Sequence, residues 1–285
     1  MKQVIRHMLK KKCEEKISPK SQLEADLRRL SLEKRKAGLL SVTCKGKLDR
    51  IVADGETEAV FYRAQWQYFI RQGSFYYIEE EVENCCARFL NGECTDDRIL
   101  DEWGIKTNEN LPVVCSNEER VSFYYDRMKA VQYAEEWWDT FNPEYRHFED
   151  DCTNYISQCL RAGGAPMWGM DNRSLGWWYT DSSWSYSWAV ANAFQVYLQH
   201  SSTGLRAKEV ESPQELMLGD VICYDFEGDG RFNHNTIVVA KDAYGMPLVN
   251  AHTTNSRMRY WSYEDSTAYT PEIVYRFYHI VDDDE

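Results

Sequence analysis

The spacing of apolar and polar residues changes period several times along the chain, and each change predicts an element. From Lys2 to Lys16, Val4, Ile5, Met8 and Leu9 share one helical face, and Pro19 ends the run. A second helix is expected next: Ser21 and Glu24 stand at capping-box spacing, Leu23, Leu27 and Leu30 make its stripe, and Gly38 supplies a stop. The period then drops to two. In AVFYRAQWQYFIRQGSFYYIEEEV, Val60, Tyr62, Trp66, Tyr68 and Ile70 alternate with more polar neighbours and Gly73 sits at the turn, which predicts a β-hairpin.

A polar connector, GIKTNENLPVVCSNEER, breaks the pattern and places a domain boundary near Asn117. Residues 1–116 are expected to form a helical and hairpin domain, and 117–285 a second domain. In the second, Ala130, Val131, Ala134, Trp137, Trp138 and Phe141 recur at helical spacing between a capping Asp126 and Pro143. Cys152, Tyr155, Ile156, Cys159 and Leu160 mark the next helix, stopped by Gly163 and Gly164. Three strands are expected further on: Val221 to Tyr224, one led by His234, and one from Leu248 to His252, with EGDG and AYGMP as turns.

Composition narrows the function classes. With 43% hydrophobic residues the 285-residue chain can fill two cores. A net charge of -13 argues against nucleic acid, whose binding rests on a positive field. The first fifty residues run the other way, with 15 Lys/Arg against 6 Asp/Glu. Those basic N-terminal helices are either solvated faces or a contact for an anionic surface. Nine cysteines without CxxC spacing fit a reducing compartment better than disulfides or a thiolate zinc site. No run is long enough to span a bilayer, and charge interrupts the N-terminus before signal-peptide length is reached. A cytoplasmic protein is expected, with export by another route left open.

Candidate chemistry centres on DDCTNYISQCLRAGG, residues 150–164. Cys152 falls in the first turn of its helix, where free N–H groups and the helix dipole favour a thiolate and an oxyanion. It is either a small core residue, like Cys159, or a nucleophile that needs a base. His234 begins one strand of a hairpin and His252 ends the next, so pairing is expected to set a base beside an orienting partner, with Asn250 the nearest alternative to His252. Asp151 reads as the helix N-cap. Asp225, Glu227, Asp229 and Gly230 open like a calcium loop, but Thr236 stands where a glutamate is needed, so a turn is expected. Zinc on Cys152, His234 and His252 has acceptable ligands, yet no metal and no cofactor is the expectation. Trp177, Trp178 and Trp184 either pack under a loop or wall a groove that stacks on sugar or peptide. Tyr145, seven residues before Cys152, is a candidate to reach the oxyanion.

The order of a helix-start cysteine, a GD strand and a histidine-led strand is similar to papain-like enzymes of the NlpC type. More closely, DDCTNYISQCLRAGG, LGDVICYDFEGDGRFNHNTIVV and VNAHTT, with YDRMKAVQYAEEWW and NPEY before them, resemble the bacterial putative amidase domain family over roughly Val121 to Ile280. Asn235 departs from the small or apolar residue that often follows the histidine. The resemblance implies an α+β, papain-like cysteine amidase domain, its nucleophile helix packed on an antiparallel sheet, behind a smaller helix-plus-strand domain. It implies Cys152 as nucleophile, His234 as general base and acid, and His252 as third member. By analogy the substrate is an amide in a peptide or a peptidoglycan stem peptide. The opposing reading is an inactive relative that binds glycan or peptide in an aromatic groove.

Overall fold

The computed structural model describes residues 2–17, 23–100, 111–114 and 120–284. The chain divides into two compact units, Met1–Trp103 with Thr254–Ser256 and Tyr263–Thr267, and Gly104–Thr253 with Arg257–Ser262 and Ala268–Glu285. The boundary expected between residues 116 and 117 falls outside the described residues, as does the capping box expected from Ser21 and Glu24.

The first unit begins with α1 (Lys2–Ile17) and α2 (Leu23–Lys34) and continues as a meander of β1 (Gly38–Asp54), β2 (Thr57–Gln72), β3 (Phe75–Leu90) and β4 (Glu93–Ile99). Ile5 and Leu9 of α1 are buried while Val4 is exposed. Leu9 lies so close to β1 that a Cβ on Gly46 would stand 2.5 Å from its Cδ1, which is why a glycine interrupts that strand. On α2 the buried positions are Ser31, Leu32 and Arg35 at its end, and Leu30 is exposed, so the expected stripe is rotated. The helix stops at Lys36, whose φ of 54° lets the Ala37 N–H reach Leu32 O; Gly38 starts β1 instead of ending α2. The hairpin predicted around Gly73 forms, with Gln72 opposite Phe75.

One face of β2 buries Tyr62, Ala64, Trp66, Tyr68 and Ile70. The glutamates of β3 sit among them and receive the cations of the N-terminal segment. Arg28 meets Glu79 at 3.1 Å and Glu81 at 3.0 Å, Lys16 meets Glu83 at 3.3 Å, and Lys12 meets Asp97 at 2.7 Å. The basic character of the first fifty residues is thus partly consumed inside the unit, while Lys2, Arg6 and Lys10 are exposed.

The second unit contains α3 (Arg127–Trp137), α4 (Cys152–Ala162), the short α5 (Tyr186–Ala189) and α6 (Ala191–His200). Its strands are β5 (Arg206–Val210), β6 (Val221–Asp225), β7 (His234–Lys241), β8 (Pro247–Ala251), β9 (Ser256–Tyr260) and β10 (Val274–Val281), hydrogen-bonded in the order β9-β8-β7-β6-β10-β5. Asp126 caps α3 by accepting from Lys129 N at 3.1 Å, as its sequence position predicts. Gly163 and Gly164 close α4, the second with φ +98°. Tyr155, Ile156, Cys159 and Leu160 of α4 pack with Trp177, Trp188, Phe194, Cys223 and Ile237 in one core. The start of α3 is locked by Arg127, which donates to the buried Asp220 carboxylate at 2.6 Å and to Ile280 O at 2.6 Å.

The expected fold class requires correction. Instead of a papain-like helix-on-sheet domain behind a smaller one, the described residues form mostly antiparallel strands, ten in all, with few helices. Only β2, β3, β6, β7 and β8 were legible as strands. The outer half of β1 is exposed on both faces, which erases the alternation a half-buried strand shows, and β4, β5 and β9 lack the continuous buried run that marks β6 and β8. Among the described residues no helix is long and apolar enough to cross a membrane.

Removing Arg28 tests the charge lock of the first unit. Its guanidinium lies 3.8 Å from the Tyr68 ring centroid and serves Glu79, Glu81 and Asp265. Arg28→Met should lower stability by about 3 kcal/mol, because buried carboxylates lose a partner. Urea unfolding of the full chain measures it, and a change under about 1 kcal/mol would show those carboxylates are adequately held by others.

Candidate active site

Cys152 is the first residue of α4 and is buried. Its sulfur lies 3.7 Å from Thr153 Oγ1. Burial pushes the thiol up from its ordinary value; Thr153 and the Asn235 backbone N–H oppose that shift, and the Asp150 and Asp151 charges reinforce it. The resting sulfur is therefore a protonated thiol at neutral pH.

The Asn235 N–H brings the start of β7 against the start of α4. Strand alternation then decides which side chain faces the helix. Asn235 lies opposite Cys223, and its Nδ2 donates to Thr153 Oγ1 at 2.9 Å. His234 lies opposite Tyr224, and its ring packs 5.5 Å from Tyr224 and 6.1 Å from Phe226. Thr236 follows the same side, 3.1 Å from the Tyr224 hydroxyl. The structure thus joins Asn235 to Cys152 and turns the His234 imidazole toward the other face at rest. Burial, with the Arg259 charge adding to it, lowers His234 to about 3, so the ring is neutral at pH 7.

His252 does not stand beside His234 as an orienting partner. Its Nδ1 is 2.8 Å from Asp151 Oδ2 and its Nε2 is 2.7 Å from Trp137 O, which occupies both nitrogens. The ring stacks on Tyr155 at 3.9 Å. The reason is register: Ile237 opposes Asn250, so the β7 residue level with His252 is Asn235. Asn250 is also committed elsewhere, donating to Glu135 Oε1 at 2.8 Å and accepting from Met258 N at 2.8 Å.

Asp151 occupies the N-cap position, as expected, but its side chain makes no cap bond. Oδ1 accepts from Phe148 N at 3.0 Å and from Asn154 Nδ2 at 2.9 Å, while Oδ2 faces His252. The tryptophans back α4 rather than wall a groove. Trp177 and Trp178 are buried, Trp177 Nε1 donates to Ser157 Oγ at 2.9 Å, and Trp188 Nε1 donates to Asn154 Oδ1 at 2.9 Å. Trp184 is half-buried between the Arg146 and Arg173 guanidiniums, 5.1 and 5.4 Å from its ring. Tyr145 is half-buried and stacks on Trp188 at 6.0 Å. Asp225 accepts from Gly228 N and Gly230 N at 2.8 Å each, the bonding of a turn. Among the described residues no group of three His, Cys, Asp or Glu is arranged to hold a metal ion.

Thr153 and Asn235 escaped the sequence reading. Counting back in twos from the core residue Ile237 places Asn235, not His234, on the helix-facing side, so that signal was present in the pattern.

A family model described as a putative amidase domain matches residues 124–278. The uncharacterized protein YhbB of Bacillus subtilis (strain 168) is 51% identical over 261 residues, covering 88% of this chain and 84% of that protein. The uncharacterized protein YjcM of the same organism is 32% identical over 188 residues, 62% of this chain and 41% of that protein. No solved structure matches the chain.

Two outcomes are expected from the site's ionisation. Iodoacetamide should label exposed Cys94 first and, among the buried thiols, Cys152 before Cys159 and Cys223, which burial pushes further up. Peptide mapping by mass spectrometry reads the order. His234 is protonated on unfolding below its unfolded value and stays neutral in the fold down to about 3. Stability should therefore fall as pH drops below ~6.5, with this ring contributing a slope of up to about 1.4 kcal/mol per pH unit. His234→Asn should remove that contribution, and urea melts at several pH values compare the two slopes.

Proposed function

The chain belongs to the putative amidase domain family, and we propose that it hydrolyses an amide with Cys152 as nucleophile and His234 as proton acceptor. The observation that carries the reading is the Cys152 thiol in the first turn of α4, set against the Asn235 N–H beside a helix start that Asp151 leaves uncapped. Helix-start N–H groups and their dipole supply positive potential where attack on a carbonyl builds an oxyanion.

Thiol and imidazole both begin neutral. His234 takes the Sγ proton as sulfur attacks the carbonyl carbon, and the imidazolium returns it to the departing amine as the C–N bond breaks. Water, deprotonated by the same ring, then attacks the thioester and frees the acid and the thiol. Since the ring lies on the Tyr224 and Phe226 side, the mechanism requires the start of β7, where His234 is the first residue, to shift so that the ring passes the strand's end and reaches α4 when substrate binds. The substrate class we assign is an amide in a peptide or a peptidoglycan stem peptide, supported by family membership and by the acyl-transfer chemistry of the thiol. A binding role in an aromatic groove has less support, because Trp177 and Trp178 are buried.

The test is incubation with short peptides and a muropeptide digest, following product and acylated Cys152 by mass spectrometry. Cys152→Ala should lower turnover by at least about a thousandfold with little change in melting temperature, and His234→Gln should do comparable damage. Turnover by Cys152→Ala at the wild-type rate would end this reading; full activity in His234→Gln would move the base elsewhere.

A further inference from the structure

Two aspartates occupy N-cap positions in the second unit and behave in opposite ways. Asp126 has an extended backbone (φ -76°, ψ 91°) and its carboxylate accepts from Lys129 N, the usual capping bond. Asp151 has φ -101° and ψ -2°, and its carboxylate accepts from no backbone N–H of the helix it precedes. Its contacts are Phe148 N, the side-chain Nδ2 of Asn154 and His252 Nδ1, at 3.0, 2.9 and 2.8 Å. The residue type is the same, so the difference comes from what surrounds it.

His252 is the group built to hold that carboxylate away. Trp137 O and the Asp151 carboxylate can only accept, so Nε2 donates to the first at 2.7 Å and Nδ1 donates to the second at 2.8 Å. Tyr155 covers one face of the ring at 3.9 Å and 12°, and Phe141 meets it edge-on at 5.3 Å. Tyr155 is itself pinned by its hydroxyl, which donates to Ala134 O at 2.7 Å. The imidazole therefore has a fixed position, buried to 2% exposure. Beyond it, Cys152, Thr153 and Asn154 are buried at a helix start without the cap that a free aspartate would give. A buried, uncapped helix start is costly and suits a group that brings negative charge.

We propose that His252 is a positioning residue for acyl transfer: by drawing the Asp151 carboxylate off the start of α4, it keeps the first-turn N–H groups open for the oxyanion formed at Cys152. This rests on the reading of Cys152 as nucleophile. His252 neither moves a proton nor touches the imidazole of His234; it acts through Asp151. Loss of His252 frees Asp151 to turn back and cap the helix, which fills the oxyanion position with a carboxylate.

The test compares two reactions of Cys152 in the full chain. Acylation by p-nitrophenyl acetate builds an oxyanion; alkylation by iodoacetamide does not. Both are followed at Cys152 by mass spectrometry, in wild type, His252→Leu, Asp151→Ser and Asp151→Asn. Serine at 151 is too short to reach His252 and is itself a good cap, so Asp151→Ser should mimic His252→Leu. Both should lose roughly tenfold to a hundredfold in acylation relative to alkylation, the ratio cancelling the change in thiol ionisation that loss of the Asp151 charge brings. Asp151→Asn keeps a polar side chain of the same length against Nδ1 and should recover most of the acylation rate. If His252→Leu fails to fold, the serine and asparagine variants carry the comparison. Equal losses in acylation and alkylation, or wild-type acylation in Asp151→Ser, would overturn the proposal. A wild-type Cys152 that alkylates but is never acylated would instead overturn the nucleophile reading beneath it.

Discussion

The geometry around Cys152 depends on one buried carboxylate. Asp151 is tied to the segment before α4 through Phe148 N, to the first turn through the Asn154 side chain, and to the end of β8 through His252, whose other nitrogen is held by the last carbonyl of α3. Three pieces of chain meet at its two oxygens, and a fourth holds the last of them in place. In a desolvated setting each of these bonds is strong and each is hard to replace, since an acceptor stripped of one donor has no water to turn to. The thiol's position follows from that junction, and so does the contact between α4 and β7 that places the Asn235 N–H at sulfur.

The first unit solves a different electrostatic problem. Glu79, Glu81 and Glu83 lie on the same face of β3 that meets buried Trp66 and Tyr68, where unpaired carboxylates would be untenable. The cations of α1 and α2 answer them from above the strand: Lys16 spans Glu81 and Glu83, and Arg28 and Arg35 share Glu79. A charge excess that the sequence leaves as either solvated helix faces or a contact for an anionic surface is, in part, the complement of an acidic strand some fifty residues later. Sequence charge counts do not reveal such pairing, because it is set by the fold and not by proximity along the chain.

What could be read in advance followed the strength of local signals. α3 and α4 carried full stripes with a cap at one end or glycines at the other, and both formed where expected. The hairpin at Gly73 and the strands led by Val221 and His234 were equally plain. The errors arose where long-range pairing decides. Register, which no local pattern specifies, put His252 level with Asn235 instead of beside His234. Asn91 and Gly92, both at positive φ, form the tight turn between β3 and β4, and that dipeptide was a hairpin signal passed over in the sequence. The tryptophan cluster looked like a ligand surface because indoles serve both roles; only burial separates the packing of Trp177 and Trp188 behind α4 from a groove.

The strand order of the second unit has a consequence for how the chain assembles during synthesis. β10, residues Val274–Val281, pairs with β6 on one side and β5 on the other, so two strands wait for one made only after β7, β8 and β9. The first unit's β1 to β4 are sequence neighbours joined by tight turns and can zip as they emerge. β5 and β6, by contrast, keep open edges until β10 has left the ribosome, after β7, β8 and β9. During that interval their unpaired backbone groups are exposed to other nascent chains, and the β6 residues Val221, Ile222 and Cys223 are all apolar. Chaperone demand should therefore concentrate in the interval between β6 and β10, on the half that carries the cysteine.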